Sequence, residues 1–274
     1  MWYDAVVFHT AWTTAQLQTW RYNAVASTSH TIERFIAFME IEAKFRVVNR
    51  MVFTSLRQLT ALGPFYVLHT PGTEHQHNTY FDTADRRLTA NRTTLRVRDL
   101  GSRRIATVKR SLSTQASIHT REEWEVDLDA GEHPADWPAS AARDRALAAL
   151  DGAAVFPLMT IHTRRQYSYA ILADTQVAEM SLDEGAIMAG GRTIGFRELE
   201  VELLAEGVRA DLDALVVHLQ ARFALIPESR GKKKRGLELL DRAVDSLPTG
   251  SRLRAVVGTA KQVDALMIEP AGSI

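Results

Sequence analysis

The sequence contains no cysteine, which excludes disulfide bridges and every metal site built on thiolates. It also lacks an excess of charge of either sign, because 33 Lys and Arg residues balance 33 Asp and Glu residues. Proteins that bind nucleic acid by general electrostatic attraction usually have a basic surplus, so this balance argues against that class. No stretch approaches the roughly 20 apolar residues of a membrane span. We therefore expect a cytoplasmic protein without a nucleic-acid or membrane partner, and its oligomeric state stays open.

The 274 residues suffice for one large domain or two small ones, and 46% of them are hydrophobic, as in ordinary soluble proteins. Three segments differ in character. We interpret residues 1–38 as an N-terminal extension or a misassigned translation start, because they are poor in charge and Met39 directly precedes the first charged motif. Residues 39–247 hold the patterns of a folded domain. Residues 248–274 lack periodicity and are interpreted as a tail.

Apolar periodicity predicts helices over residues 50–61, 138–150 and 208–223, and alternating stretches between them predict strands. We interpret His75–His77 as part of a solvated loop; its alternation could hold zinc, but no third ligand is evident. Ser229–Gly236 is predicted to be a basic loop that leads into a short apolar helix.

Charged residues alternate with apolar ones in several short stretches. The first, Met39–Phe45, carries Glu40, Glu42 and Lys44 at alternate positions. Because successive side chains of a strand point to opposite faces, these three charges share one face. The same alternation returns in Arg96–Arg98, Ala106–Lys109, Glu123–Glu125 and Glu198–Glu202. Strands with one charged and one apolar face predict a closed sheet whose charged face lines a lumen and whose apolar face is covered by helices.

The predicted lumen is rich in both acids and bases. The acids are Glu40, Glu42, Glu123, Glu125, Glu198, Glu200 and Glu202, and the bases are Lys44, Arg96, Arg98 and Lys109. So many carboxylates cannot share a low-dielectric space unless cations neutralise them. Mg²⁺ and Mn²⁺ take oxygen ligands of this kind, while Arg and Lys suit phosphate oxygens. The pattern therefore predicts a site for a metal-bound polyphosphate; the alternative is a solvated sheet face with cross-strand ion pairs.

The ordered set of motifs resembles the CYTH superfamily, the triphosphate tunnel metalloenzymes. After the ExExK opening, the further pieces follow in the family's order: Tyr80–Thr83, Thr94–Arg98, Thr107–Arg110, Arg121–Glu125, Thr163–Tyr167, Ser181–Gly185, Glu198–Glu202 and Ser229–Gly236. The resemblance covers residues 39 to about 240. It implies an α+β fold in which an eight-stranded antiparallel closed β-barrel forms a tunnel with helices packed outside.

The resemblance also implies residue roles. The metal, Mg²⁺ or Mn²⁺, would be held by Glu40, Glu42, Glu200 and Glu202. The substrate phosphates would be bound by Lys44, Arg96, Arg98, Lys109, Arg164 and Lys232, with Lys233 and Lys234 as alternatives to the last. The catalytic residues would be Glu42, Lys44, Glu123, Glu125 and Asp183. Glu123 and Glu125 would hold a second metal or orient water, and Asp183 would orient a base or sit beside the metal cluster.

One departure from the family pattern stands out. His162 lies where the family often has a lysine, two residues before the arginine at position 164. We expect this histidine to weaken phosphate binding or to make it pH-dependent near neutrality.

The implied activity is divalent-metal-dependent hydrolysis of inorganic triphosphate or a related triphosphate compound, with water attacking the terminal phosphoryl group. Two other enzymes need similar sites: a thiamine triphosphatase and a class IV-type adenylate cyclase that forms cyclic AMP from ATP. No residue set stands out as a base pocket. A non-catalytic binder of nucleotide or polyphosphate is the alternative from a different class. In every case the expected partner is a small molecule that contains triphosphate.

Overall fold

The fold is described by a computed structural model for residues 38–115, 117–129 and 131–245. The predicted tail, and the predicted N-terminal extension except for its last residue, lie outside these ranges. The strands are β1 (Phe38–Arg46), β2 (Ala61–Leu62), β3 (Phe65–His69), β4 (Glu74–Thr83), β5 (Thr93–Asp99), β6 (Arg104–Gln115), β7 (Ile118–Leu128), β8 (Val155–Leu172), β9 (Thr175–Ala189), β10 (Arg192–Leu203) and β11 (Ile226–Pro227). The helices are α1 (Arg50–Arg57), α2 (Arg87–Ala90), α3 (Ala141–Leu150), α4 (Arg209–Arg222) and α5 (Lys232–Asp245).

Eight of these strands close into a ring. Their order is β8-β4-β5-β6-β7-β1-β10-β9, and β9 pairs back with β8. Every pairing around the ring is antiparallel. A closed ring leaves no edge along its circumference, which is how a barrel satisfies the backbone groups of all its strands. The predicted eight-stranded antiparallel barrel is therefore confirmed.

The outer face of the ring is apolar and is covered by helices. On β1, Ala43 and Phe45 are fully buried in a cluster that includes Phe53 of α1 and Leu215 of α4. Asn49 caps α1, as a side-chain acceptor for the backbone N–H of Met51. A second cluster packs α3 against the outer faces of β5, β6 and β7. Helices on the outside leave the other face of each strand to the lumen, as the alternation predicted.

Helix α5 lies across one end of the ring. Its Leu239 and Leu240 pack in an apolar cluster with Met159, Ile161 and Phe196. Met159 and Ile161 have the same odd parity on β8 as the lumen residues further along that strand, so their side chains fill the barrel interior at this end. The charged part of the lumen therefore lies beyond this apolar layer. No helix of the described ranges is both long and apolar enough to cross a membrane.

Two stretches predicted as loops are regular structure. His75–His77 belongs to β4, which pairs with β8 from Glu74 onwards, and the ring of His77 lies against that of His162 at 4.0 Å between centroids. The basic segment is also not a loop throughout, because α5 begins at Lys232. Both predictions relied on local polarity, whereas pairing and packing with distant residues decide these segments.

Candidate functional site

The lumen is lined by ionisable side chains from the strands of the ring and from the first turns of α5. These groups are strongly buried; only 2% of Glu42 and none of Asp183 is exposed. Buried charges persist in proteins only when they are paired and hydrogen-bonded. Their contacts form three adjoining groups, each with acids and bases from different strands.

The first group surrounds the carboxylates of β1. Lys109 Nζ lies 2.9 Å from both carboxylate oxygens of Glu40. Arg121 Nη1 donates to Glu42 Oε1 at 2.5 Å and lies 3.5 Å from Glu40 Oε2. Lys44 Nζ lies 3.1 Å from Glu42 Oε1. Three cations therefore hold the two acids of the ExExK motif inside the barrel.

The second group joins β8, β9, β10 and α5. Arg165 binds Asp183 through Nε and Nη2, both at 2.6 Å, and Nη2 also lies 2.7 Å from Glu200 Oε2. Lys232 Nζ lies 2.9 Å from Asp183 Oδ2, 2.9 Å from Glu198 Oε2 and 2.5 Å from Glu200 Oε1. Lys44 connects this group to the first, since its Nζ lies 3.0 Å from Glu200 Oε1.

The third group lies on β5, β6 and β7 and is less buried. Arg96 Nη2 lies 3.5 Å from Glu125 Oε1 and 3.9 Å from Glu123 Oε1. Lys109 Nζ lies 3.0 Å from Glu123 Oε2, which connects this group to the first one. Thr107 Oγ1 donates to Glu125 Oε1 at 2.9 Å. All three groups are thus one continuous network of ion pairs within the barrel.

This network keeps Glu42 and Glu200 ionised. Burial by itself raises the pKa of Glu42, but Lys44 and Arg121 outweigh it and hold the value well below the ordinary range. Burial likewise raises the pKa of Glu200, and Lys232, Lys44 and Arg165 together lower it. The carboxylates are therefore negatively charged at neutral pH despite their burial.

Lys109 and Lys232 stay protonated for the reciprocal reason. Burial lowers the pKa of Lys109, while Glu123 and Glu40 raise it above the usual value for lysine. Burial also lowers the pKa of Lys232, and Asp183, Glu198 and Glu200 raise it. A lumen of fixed opposite charges can exchange its internal partners for an external anion or cation without any proton transfer.

Most of the predicted site residues meet in this network. They are Glu40, Glu42, Lys44, Arg96, Lys109, Glu123, Glu125, Asp183, Glu200 and Lys232. Arg98 faces the same interior and donates through Nε to Asn78 Oδ1 at 3.1 Å. Glu202 is partly buried and stands opposite Glu42 in the β1–β10 register.

Arg164 is not brought into the lumen. Its side chain is 45% exposed and its Nη2 donates to Glu184 Oε2 at 2.8 Å on the outer face. Arg165, its neighbour, points inward, because one residue of shift reverses the face of a strand side chain. His162 has the parity of Arg164, so the expected effect of this histidine on phosphate binding has no support from the geometry. The inward residue two positions before Arg165 is Thr163, of which only 5% is exposed.

The three consecutive lysines, Lys232–Lys234, lie in different environments. Lys232 reaches the buried carboxylates, whereas Lys233 Nζ donates to the backbone carbonyl of Thr93 at 2.8 Å. Burial lowers the pKa of Lys233 to about 8, with Arg86 acting in the same direction and Asp82 against it. Lys234 is exposed. Of the alternatives left open by the sequence, only Lys232 has contacts within the network.

Three interior arginines of the described ranges were missing from the predicted roles. Arg121 precedes Glu123 by two positions, so strand parity alone places it on the lumen face. Arg165 carried no such signal, because two adjacent arginines fit either face. Arg235 pairs with the fully buried Glu198, and its place depends on a helix that the sequence pattern put later in the chain.

The oxygen donors of the lumen fit a hard divalent cation. Among the described residues, no three Asp, Glu or His side chains form a ready-made metal site, because Lys and Arg nitrogens lie between the carboxylates. The acids of β1 and β10 nevertheless lie on adjacent strands in register, with Glu42 opposite Glu202 and Lys44 opposite Glu200. Carboxylates without thiolates or clustered imidazoles are the ligand type of Mg²⁺ and Mn²⁺ rather than of zinc.

The fold and its lumen define a class: antiparallel barrels whose ionisable groups are concentrated in the interior. Residues 39–221 match the model of the CYTH domain, and the chain belongs to the CYTH domain family.

Solved structures share the fold. A candidate adenylyl cyclase from Hippeastrum, described as having a dominant triphosphatase activity, is 19% identical over 73% of this chain and 96% of its own, with a TM-score of 0.55. A candidate adenylate cyclase from Bacillus halodurans is 19% identical over 79% of this chain and 96% of its own, with a TM-score of 0.43. The Mimivirus capping enzyme triphosphatase is 10% identical over 67% and 88%, with a TM-score of 0.39. The first likeness shows the fold alone, and the other two scores are too low to support an argument.

Proposed function

We propose that this protein is a divalent-metal-dependent hydrolase of inorganic triphosphate or a related triphosphate compound. The observation that carries the proposal is the interior network itself, in which Lys44, Arg165 and Lys232 interleave with the carboxylates of Glu42, Asp183 and Glu200. A site that served only to bind an anion would have little use for so many buried acids. A polyphosphate with a cation uses both kinds of group.

The phosphate-binding groups in this proposal are the interior cations. They are Lys44, Arg96, Arg98, Lys109, Arg165 and Lys232, with Arg165 in the role that the family resemblance implied for Arg164. Arginine forks bind two phosphate oxygens at once, and lysine ammonium groups act as point charges. Carboxylates hold all of these cations except Arg98 in the free protein and keep them oriented toward the lumen, so little side-chain freedom is lost when phosphate oxygens replace carboxylate oxygens.

The metal would be Mg²⁺ or Mn²⁺, held by Glu40, Glu42, Glu200 and Glu202. A bound divalent ion of this kind neutralises phosphate charge and lowers the pKa of a coordinated water.

The other acids of the chain would have positioning roles. Asp183 holds the Arg165 guanidinium through both Nε and Nη2, which fixes the plane of the fork. Glu125 accepts from Thr107 and lies beside Arg96, where its second oxygen can orient a water molecule. Glu123 is the partner of Lys109 in the same region. The first two groups of the network are deeply buried and shielded from bulk water, so their fixed charges act more strongly than they would at a surface.

The experiment is a comparison of substrates. The purified protein is incubated with inorganic triphosphate, ATP or thiamine triphosphate in the presence of Mg²⁺ or Mn²⁺, and released phosphate and cyclic AMP are both measured. Phosphate release that requires the metal supports the proposal, and the preferred compound names the substrate. Cyclic AMP as the main product from ATP would instead identify the protein as an adenylate cyclase. Tight binding of all three compounds without turnover would identify a non-catalytic binder.

A further inference from the structure

Arg98 differs from the other cations of the lumen. The others each contact at least one carboxylate: Lys44, Arg96, Lys109, Arg121, Arg165, Lys232 and Arg235. Within the described ranges, no carboxylate lies at ion-pair distance from Arg98; its one hydrogen bond is the bond from Nε to Asn78. Arg98 is therefore the cation of this network that is held by a neutral group.

Asn78 is itself fixed from two sides. It lies directly opposite Arg98 in the register of β4 and β5, and only 4% of it is exposed. Its Nδ2 donates to the Ile161 carbonyl at 3.3 Å and to Gln76 Oε1 at 3.5 Å. Gln76 in turn donates to Glu74 Oε1 at 2.6 Å. These bonds orient the amide so that its oxygen faces the Arg98 Nε–H.

A neutral acceptor on Nε has a specific consequence. It fixes the plane of the guanidinium without supplying an ion-pair partner, and the four N–H groups on Nη1 and Nη2 keep their capacity to donate. Burial lowers the pKa of Arg98, and the neighbouring Arg96 and Arg165 lower it further, while Glu125 and Tyr167 act in the opposite direction. Three guanidinium groups thus approach one another, and the acids beside them pair with only two.

We propose that Asn78 is a positioning residue that holds Arg98 as the uncommitted cation of the lumen, so that Nη1 and Nη2 bind two oxygens of one phosphoryl group of the substrate. This inference rests on the proposed function. At every other cation a phosphate oxygen must replace a carboxylate, and the carboxylate left behind offsets part of the gain. At Arg98 no carboxylate is displaced, so this contact contributes disproportionately to affinity.

The test is a double-mutant cycle between the two residues. Asn78→Asp keeps the size of the side chain and an oxygen acceptor for Nε but adds a negative charge that neutralises Arg98. We expect it to raise KM for inorganic triphosphate about tenfold with little change in kcat, because a coupled buried pair is typically worth this much. In an Arg98→Gln background the same substitution should change KM by less than about twofold.

Equal changes of KM in the two backgrounds would overturn the inference, as would a fall of kcat at constant KM, since either result gives Asn78 a role that does not act through Arg98. Folding is checked by thermal unfolding. If the aspartate variant does not fold, Asn78→Ser provides the same cycle without a new charge, with an expected loss of a few-fold that also vanishes in the Arg98→Gln background.

A second readout separates this inference from the proposed function. Binding of inorganic triphosphate to each variant is measured by calorimetry without added metal ion. Wild-type protein that neither binds nor hydrolyses inorganic triphosphate would remove the proposed function. If the wild-type protein hydrolyses it but the affinity losses of Asn78→Asp and Arg98→Gln are additive in the double variant, only the proposed role of Asn78 is overturned.

Discussion

Lys232 Nζ lies 2.9 Å from Asp183 Oδ2 and thereby ties helix α5 to strand β9 inside the barrel. The same nitrogen contacts Glu198 and Glu200 on β10. One ammonium group therefore serves three carboxylates, and it enters the lumen from a helix rather than from a strand. The charge balance of this part of the interior depends on how α5 packs across the end of the ring.

Replacing Lys232 should affect both stability and activity. Lys232→Ala leaves three buried carboxylates with fewer cations, and removal of one partner from a buried ion pair typically costs about 3–5 kcal/mol. We expect a lower free energy of unfolding in urea and the loss of most phosphate release from triphosphate. Lys234→Ala on the same helix is the control, because that side chain is exposed. It should change the free energy of unfolding by no more than about 0.5 kcal/mol and leave phosphate release near the wild-type level. Equal effects of the two substitutions would contradict the geometry.

Adjacent arginines on β8 should differ sharply. Arg165→Gln removes a fork that contacts Asp183 and Glu200, and we expect kcat/KM for triphosphate to fall about a hundredfold or more, as when a charge-stabilising donor is lost from an active site. Arg164→Gln removes only an exposed contact with Glu184 and should leave kcat/KM within about twofold of wild type. Steady-state kinetics on the two variants measures this difference, and the reverse order would mean that β8 is in the other register.

These two arginines show where the sequence suffices and where it does not. The lumen face of β1 could be predicted because Glu40, Glu42 and Lys44 alternate with apolar residues, so only one parity is possible. On β8 the parity is undetermined, since two neighbouring arginines fit both faces. It is set by pairing with β9, where Arg165 stands opposite Asp183, and that pairing is not contained in the local pattern.

Neutral interior residues were equally hard to find. Asn78 belongs to a stretch of β4 that has no charge alternation, and its importance follows only from its position opposite Arg98 on the next strand. Lys232 was assigned a role through the family resemblance. The start of α5 could not be placed from the sequence, because the helix packs at Gly236 against Met159 and Ile187, which are far from it in the chain. Patterns within a strand could therefore be read from the sequence, whereas contacts between distant elements could not.

Lys233 should give the protein a pH-dependent stability. Burial lowers its pKa to about 8 against the opposing effect of Asp82, with a smaller lowering by Arg86, whereas an unfolded chain holds this proton up to about pH 10.4. Between these values the unfolded state binds more protons, so the free energy of unfolding should rise with pH. The stabilisation is present above the unfolded pKa and is lost as pH falls through about 8. Urea unfolding at pH 7 and pH 10 measures the change.

Lys233→Met is the matched variant for this prediction. It removes the buried ammonium and keeps the apolar stem, so it should be more stable than wild type at pH 7, by about 1–3 kcal/mol. The advantage should shrink toward pH 10, where the wild-type lysine is neutral when folded. An advantage that does not change with pH would show that the gain comes from packing and that the lysine proton plays no part.

Glu42 offers the sharpest test of the metal-binding role. Glu42→Gln keeps the shape of the side chain and removes one negative charge; Lys44 still has Glu200 as a partner and Arg121 still has Glu40. We therefore expect a fold close to that of wild type, verified by circular dichroism. Metal-dependent turnover should be abolished, and affinity for Mn²⁺, measured by electron paramagnetic resonance without substrate, should fall about tenfold to a hundredfold. Glu184→Gln, on the outer face, is the control and should leave both unchanged. Wild-type affinity for Mn²⁺ in Glu42→Gln would exclude this carboxylate as a ligand, whatever its effect on turnover.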